Sequence, residues 1–280
     1  MKLHFYGTGG GYGQPEIFCS CRICNYAREH RGPDMRSRSQ ALINDALLLE
    51  FPVDTVMHSY YGGLDVRKYH HVLITHDHYD HFLHQELVDR PIGATPHHYY
   101  TTWGSGSKIR EKEELGKTLD QSNHPRPRMF PVWHEVKYFE PLEIAGQNVI
   151  PLKARHGGAE LQAAIYIISD GEKTLLWGTD TGYFPDETWD FIENKWDGVL
   201  DGIVLDCTLH AVERITPSHM CLPQCVEVCE RLEKAGKLKK DAVKYVTHIG
   251  HLIDMTHEEL SAEAAKNGIK VAYDGLDVEI

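Results

Sequence analysis

The feature that most constrains this chain is a run of metal-binding residue types directly after a short apolar segment. Residues 75–81 read Thr-His-Asp-His-Tyr-Asp-His and follow residues 71–74, which have the composition of a buried strand. The run contains four candidate ligands: His76, His78, Asp80 and His81. Alternate residues of a helix point apart, so this spacing excludes a helix face and predicts a loop at a strand end. The alternative is a His-rich surface loop that binds no metal.

On such a loop the four side chains can converge on two neighbouring metal ions. His76 and His78 are expected to hold one ion, and Asp80 and His81 a second ion beside it. Two ions about 3.5–4 Å apart polarise a phosphoryl group together and deprotonate a bridging water. Ligands of these types suit Zn²⁺, Mn²⁺ or Fe²⁺, and the sequence does not choose among them.

Further candidate ligands follow other predicted strands. His156 comes after a strand that ends near residue 154, Asp180 lies in Gly-Thr-Asp-Thr-Gly after residues 174–177, and His248 follows residues 243–247. Loops at strand ends are common places for functional side chains. A single histidine at such a place is more often an ordinary polar residue, but together with residues 75–81 these three become expected ligands.

Taken together, the pattern His-x-His-x-Asp-His, a lone His, a lone Asp and a C-terminal His resembles the metallo-β-lactamase superfamily. The resemblance covers nearly the whole chain and implies an α+β fold, the αββα four-layer sandwich, as a single domain over residues 1–280. It implies two ligand sets that share a bridging Asp180: His76, His78, His156 and Asp180 for one ion, and Asp80, His81, Asp180 and His248 for the other. Asp77 is expected to orient one of the ligand histidines.

A second metal site is predicted by Cys19, Cys21 and Cys24, which lie close together on a loop. A structural zinc ion requires four ligands in a tetrahedron, and His251, three residues after His248, is the expected fourth. The alternative is three unrelated cysteines, buried or free.

The cysteine loop extends the resemblance to the phosphoribosyl 1,2-cyclic phosphate phosphodiesterase family, PhnP. Residues 7–10, 180–182 and 205–207 also match. The resemblance implies hydrolysis of a small cyclic or diester phosphate by a hydroxide that bridges the two metal ions. His219 is the expected proton donor, and Asp80 is counted with it as catalytic. For His219 the alternative is an ordinary residue at a helix start. The quinone-cofactor biosynthesis protein PqqB shares the cysteine loop, so a PqqB-like role, RNA processing and thioester hydrolysis stay open.

The remaining pattern predicts short strands, few helices and one insertion. Hairpins are expected at Asn44-Asp45 and Asp170-Gly171, and helices over 222–235 and from Thr256 to about 267. Residues 101–128 are polar and are interpreted as an insertion or lid. The cysteines at 221, 225 and 229 recur on one helix face and are expected to pack in the core. Arg36 and Arg38 are expected on a solvated face, or within reach of a substrate phosphate.

The charge of the chain bears on its partners. With 41 acidic and 29 basic residues the net charge is −12, which disfavours long nucleic acid and is compatible with a small phosphorylated substrate at a metal site. No apolar run is long enough to cross a membrane, and no secretion signal is evident, so a cytoplasmic protein without a membrane partner is expected. Whether it forms a homodimer stays open.

Overall fold

A computed structural model describes residues 1–87, 96–120, 130–212, 216–252 and 254–280. Fourteen strands and six α-helices lie in these residues. In chain order the strands are β1 (Lys2–Gly7), β2 (Gln40–Ile43), β3 (Leu47–Leu49), β4 (His71–Leu73), β5 (His98–Thr101), β6 (Val132–Glu135), β7 (Leu142–Ile144), β8 (Gln147–Lys153), β9 (Ala164–Ser169), β10 (Thr174–Gly178), β11 (Leu200–Asp206), β12 (Leu238–Thr247), β13 (Lys270–Val271) and β14 (Asp277–Glu279). The helices are α1 (Arg22–His30), α2 (Thr55–Tyr61), α3 (Ser107–Asp120), α4 (Asp186–Asp190), α5 (Leu222–Lys234) and α6 (His257–Ala265).

The strands form two seven-stranded mixed sheets. The first has the order β14-β1-β2-β3-β4-β5-β6, and the second β13-β12-β11-β10-β9-β8-β7. In the first sheet β3 to β6 are parallel, and in the second β10 to β13 are parallel. The predicted hairpins are confirmed: Asn44 and Asp45 both have positive φ between β2 and β3, and Gly171 has φ of 91° between β9 and β10.

Alternation of side chains along the strands produces the layers. Leu47 and Leu49 pack between the two sheets in a cluster with Trp177, whereas Leu48 lies on the outer face of the first sheet with Ile109 of α3. Because successive strand residues face opposite sides, each sheet buries both faces, one against the other sheet and one under helices. This arrangement confirms the αββα sandwich.

The outer face of the second sheet is covered by α4, α5 and α6. Cys221, which caps α5, and Cys225 and Cys229 within it are buried there. Cys225 and Cys229 pack in the same cluster as Leu205 and Leu232, as the spacing predicted. Helix α6 begins with the predicted capping box of Thr256 and Glu259.

The described part of the predicted insertion, residues 101–120, contains α3 and its approach, and residues 121–128 lie outside the described residues. Ile109 of α3 is fully buried in the outer layer. Thr102 and Ser105 donate hydrogen bonds to the carbonyls of Gln162 and Leu161, so this segment is joined to the loop after His156. No helix in the described part of the chain is long and apolar enough to cross a membrane.

Candidate metal centre

The geometry of the second sheet gathers the predicted ligands at one edge. Strand β8 is antiparallel to β9, which is antiparallel to β10, so β8 runs in the same direction as β10, β11 and β12. Their carboxyl ends therefore meet, and they carry His156, Asp180, Asp206 and His248. The loop after β4 reaches the same place because the Thr75 carbonyl accepts a hydrogen bond from the Ala164 amide of β9.

The first predicted ligand set converges. One ligand atom from each of His76, His78, His156 and Asp180 lies within 4.8 Å of the others. His78 Nδ1 is 2.9 Å from His76 Nε2 and 3.1 Å from His156 Nε2. His76 Nε2 is 3.1 Å from Asp180 Oδ2. Three imidazoles and one carboxylate thus aim at a single point.

The second set converges beside it and shares Asp180. Asp80, His81, Asp180 and His248 also place their ligand atoms within 4.8 Å of one another. His81 Nε2 is 3.2 Å from Asp180 Oδ2, 3.4 Å from Asp80 Oδ2 and 3.1 Å from His248 Nε2. We call the seven residues of the two sets the histidine–aspartate cluster. Asp180 lies between the two groups, as expected of a bridging ligand.

The electrostatics of the histidine–aspartate cluster fit divalent cations. Burial, together with the neighbouring His81, lowers the pKa of His76 to about 3, so His76 is in the neutral form that ligates metals. Burial would also lower the pKa of His248, but Asp180, with Asp206 and Asp80, raises it to about 9. Carboxylates this deeply buried are unfavourable without compensating positive charge, which protons supply here and metal ions would supply more strongly.

Two buried carboxylates that the sequence analysis did not single out support the ligands. Asp206 Oδ2 is 3.4 Å from His248 Nδ1, and Asp206 Oδ1 accepts hydrogen bonds from the amides of Thr208 and Met220. Glu50 Oε1 is 3.4 Å from His81 Nδ1. Such contacts hold an imidazole so that its other nitrogen faces the metal. Asp206 stands at the end of an apolar segment, and several predicted ligands follow such segments. This position is the sequence signal that could have identified Asp206.

His219 lies at the mouth of the cluster. Its Nδ1 is 3.0 Å from Asp180 Oδ1 and 3.3 Å from Asp206 Oδ2, and its side chain is 27% exposed. Burial would lower the pKa of His219, but the carboxylates of Asp180 and Asp206 raise it to about 10. His219 is thus held by the same carboxylates that bind and orient the ligands, while one edge of the ring faces outward.

The loop of Gly10 and Gly11 passes directly over the ligands. A Cβ on Gly10 would lie 3.2 Å from the His248 ring, and a Cβ on Gly11 would lie 3.3 Å from Asp80 Oδ2. Tyr79 donates a hydrogen bond to the Gly11 carbonyl, which holds the glycine loop in this position. A side chain at either position would press on a ligand, so glycine favours this close approach of the backbone.

The cysteine cluster, defined as Cys19, Cys21, Cys24 and His251, is also assembled as predicted. Its four ligand atoms lie within 4.8 Å of one another, and Cys24 Sγ is 3.4 Å from His251 Nδ1. Burial raises the pKa of Cys21, but hydrogen bonding to His251 and to neighbouring groups lowers it to about 6. Three thiols and one imidazole in this arrangement fit a tetrahedral zinc ion.

The roles predicted for Asp77 and Arg36 are not met. No hydrogen bond of the described residues joins Asp77 to a ligand histidine; Asp206 and Glu50 take that position. Arg36 is neither solvated nor available to a substrate, because it is buried and donates hydrogen bonds to Thr8 Oγ1 and the Ala272 carbonyl. Arg38 is paired with Asp54 and also donates a hydrogen bond to the Gly11 carbonyl beside the ligands, so its contact with a substrate phosphate stays a prediction.

The chain was compared with known proteins. Residues 57–249 match the family described as the beta-lactamase superfamily domain. A curated relative, an octanoyltransferase of Porphyromonas gingivalis, is 24% identical over 100% of this chain and 52% of its own length, so the chain spans about half of that relative.

Solved structures agree on the fold. A diphosphatase from the PhnP family has a TM-score of 0.72 and 25% identity, covering 100% of this chain and 96% of that one. Zn²⁺-bound PqqB from Methylobacterium extorquens has a TM-score of 0.71 and 18% identity, covering 100% of both chains. Human tRNase Z, short form, has a TM-score of 0.62 and 15% identity, covering 100% of this chain and 99% of that one. The chain has the fold of metal-dependent hydrolases and a histidine–aspartate cluster that could hold metal ions, and it belongs to the metallo-β-lactamase superfamily.

Proposed function

We propose that this protein hydrolyses a phosphodiester bond in a small organic phosphate, as a cyclic phosphate or an open diester. The observation that carries the proposal is the contact of His219 with Asp180, the residue shared by the two ligand sets. A group able to donate a proton thus lies directly beside the place where two cations would be held. The similarity to a PhnP-family diphosphatase supports the same chemistry.

The chain's own residues can bind and orient the reacting groups. His76, His78 and His156 with Asp180 would hold one divalent ion, and Asp80, His81 and His248 with Asp180 the other. When bound, two such ions polarise a phosphoryl group and lower the pKa of a coordinated water. Zn²⁺ and Mn²⁺ suit these ligands, as does Fe²⁺.

His219 is proposed as the general acid. Asp206 and Asp180 both contact its Nδ1, which leaves Nε2 as the nitrogen to meet a substrate. A proton on Nε2 would pass to the oxygen that leaves phosphorus, and Asp206 would stabilise the orientation of the ring. Asp206 is itself fixed by amide donors of Thr208 and Met220, so the pair is rigid.

A second candidate function is hydrolysis of an acyl thioester. It is favoured by the relative named an octanoyltransferase, which aligns with the whole of this chain. The same clusters could polarise a carbonyl, because the ligand sets do not distinguish a carbonyl from a phosphoryl oxygen. RNA processing, which the name of human tRNase Z suggests, is disfavoured by the net charge of −12.

A substrate panel tests these functions. Protein loaded separately with Zn²⁺ and Mn²⁺ is assayed with nucleoside 2′,3′-cyclic phosphates, a nitrophenyl phosphodiester, octanoyl thioesters and a precursor tRNA. We expect turnover of the cyclic phosphates and the activated diester. Turnover of the thioester alone, or of the RNA alone, would replace the proposal with the corresponding alternative.

A further inference from the structure

His210 is a fully buried imidazole that belongs to neither metal cluster. It lies in the loop after β11, four residues beyond Asp206. Its backbone has φ of 51°, in the left-handed region that residues with a Cβ seldom adopt. A backbone conformation of this kind persists only where the surrounding structure holds it.

Backbone hydrogen bonds fix His210 to two neighbouring segments. Its amide donates to the Cys207 carbonyl at 3.1 Å, and its carbonyl accepts from the Leu222 amide at 2.6 Å. Cys207 directly follows Asp206, and Leu222 lies three residues after His219. The position of His210 is thus set relative to Asp206 and His219, which contact each other at 3.3 Å.

The side chain of His210 reaches the segment between the two clusters. Its Nε2 is 2.5 Å from the carbonyl oxygen of Gly250. A carbonyl oxygen only accepts, so Nε2 carries the hydrogen and donates it. Burial lowers the pKa of His210 to about 4, so the ring is neutral. Gly250 stands between His248, a ligand of the histidine–aspartate cluster, and His251, a ligand of the cysteine cluster.

The segment 248–250 packs tightly against the loop that carries His210. A Cβ on Gly250 would lie 2.9 Å from the Thr208 carbonyl oxygen, so a side chain there would displace the loop. Thr208 Oγ1 is 2.8 Å from both the carbonyl oxygen and Nδ1 of His248. His248 itself has φ of 58°. A ligand with such a backbone conformation keeps its direction only if its neighbours hold the chain in place.

We infer that His210 is a positioning residue. By holding the Gly250 carbonyl it fixes the directions of His248 and His251, and it thereby sets the metal affinity of both clusters. His210 acts through the backbone and is not itself a ligand. The inference concerns the metal sites alone and is independent of which ester the protein hydrolyses.

Two substitutions separate the hydrogen bond from the backbone conformation. Asparagine is among the residues most often found at left-handed φ, but its shorter side chain cannot bring the amide to Gly250. Glutamine can place its amide nitrogen near the position of Nε2, but it is less suited to the left-handed region. If the hydrogen bond matters, His210→Gln should resemble the wild type and His210→Asn should not. Backbone strain alone predicts the opposite order.

Metal affinity is compared by challenging Co²⁺-loaded protein with increasing concentrations of a chelator and recording absorption. Thiolate ligands give charge-transfer bands in the near ultraviolet that His and Asp ligands lack, so the two clusters are followed separately. We expect His210→Asn to lose Co²⁺ from both clusters at roughly tenfold lower chelator concentration, a loss typical of removing groups that orient ligands. His210→Gln should keep the midpoints of the wild type.

His58→Asn is the matched control. His58 is another buried imidazole whose pKa is lowered by burial to about 4, and it is hydrogen-bonded to Gln40 and belongs to neither cluster. It should lower Tm without changing either midpoint. Equal loss of Co²⁺ from His58→Asn and His210→Asn would overturn the inference, since general destabilisation would then explain both.

Two further outcomes would also overturn it. One is an unchanged midpoint in His210→Asn. The other is a midpoint in His210→Gln well below that of the wild type, and this comparison is decisive even if His210→Asn does not fold. A protein that cleaves no phosphodiester but shows the expected order of midpoints would leave the inference intact while the proposed function fails.

Discussion

The histidine–aspartate cluster, two four-ligand sets that share Asp180, and the cysteine cluster, a single four-ligand set, are assembled differently. The first collects ligands from the ends of β4, β8, β10 and β12, and its carboxylates are almost fully buried. The second takes three ligands from one stretch of six residues, Cys19 to Cys24, and only His251 comes from elsewhere. Cys21 is exposed, whereas Asp180 is 2% exposed.

The difference indicates that the two clusters serve different functions. A site built by the whole fold places its ligands where the surrounding carboxylates can tune them, which chemistry requires. A site that takes three ligands from one loop and the fourth from a distant segment joins two parts of the chain. The cysteine cluster ties the N-terminal loop to the segment that carries His248, only three residues before His251. We therefore expect changes in the first cluster to affect activity and changes in the second to affect stability.

The largest effect is expected for Asp180→Ala. It removes the ligand shared by both sets, so activity towards every substrate should fall more than about 10³-fold, beyond the loss of a single transition-state hydrogen bond. Elemental analysis should find less metal. Asp201→Ala removes another buried carboxylate, paired with Lys173 and Lys239 in the same sheet, and should keep its metal. If Asp180→Ala binds as much metal as the wild type, the bridging assignment is wrong.

His219→Ala should separate proton transfer from metal binding within the first cluster. We expect kcat to fall roughly 10²–10⁴-fold, the usual contribution of a general acid, with unchanged metal content. The loss should shrink for a nitrophenyl diester, whose leaving group needs little protonation. Equal impairment on both kinds of ester would indicate a binding role, and full activity on both would leave His219 an ordinary residue at a helix start.

The sequence predicted which candidate ligands converge better than it predicted the carboxylates that support them, for a physical reason. Residues 75–81 are recognisable because ligand chemistry needs several donors close together on one loop, and the cysteine loop is recognisable for the same reason. The hairpin at Asn44-Asp45 followed from turn residues that tolerate positive φ. By contrast, Asp206 and Glu50 are single carboxylates whose role depends on strands pairing far along the chain. The burial of Arg36 likewise arises from contacts with Ala272, which no local pattern encodes.

Asp206→Asn should have an intermediate effect. The Oδ1 position would still accept from the Thr208 and Met220 amides, so the amide NH₂ would face Nδ1 of both His219 and His248. Neither ring could then donate from Nδ1 to residue 206, so the orientation in which His248 Nε2 faces the other ligands would be held less firmly. We expect metal affinity or kcat to fall roughly 10–100-fold. Asp201→Asn is the matched control, and an effect of the same size there would indicate general destabilisation instead.

The smallest effect on activity, and the largest on stability, is expected for Cys21→Ser. Zinc bound by the cysteine cluster would stabilise the folded state directly, because its ligands are not organised in the unfolded chain. Loss of even a few kcal/mol should lower Tm by roughly 5–10 °C in a chain of this size, together with one equivalent of zinc. The kcat of the remaining folded protein should change little, since the ligands of the first cluster are intact. Cys229→Ser alters a cysteine on the buried face of α5 that belongs to neither cluster, and it should keep the full zinc content. If Cys21→Ser melts with the wild type and binds all its metal, the cysteine cluster is not a zinc site. If Cys21→Ser instead loses activity while its Tm is unchanged, the link between His251 and His248 serves catalysis. The expectation that one cluster controls activity and the other stability would then be wrong.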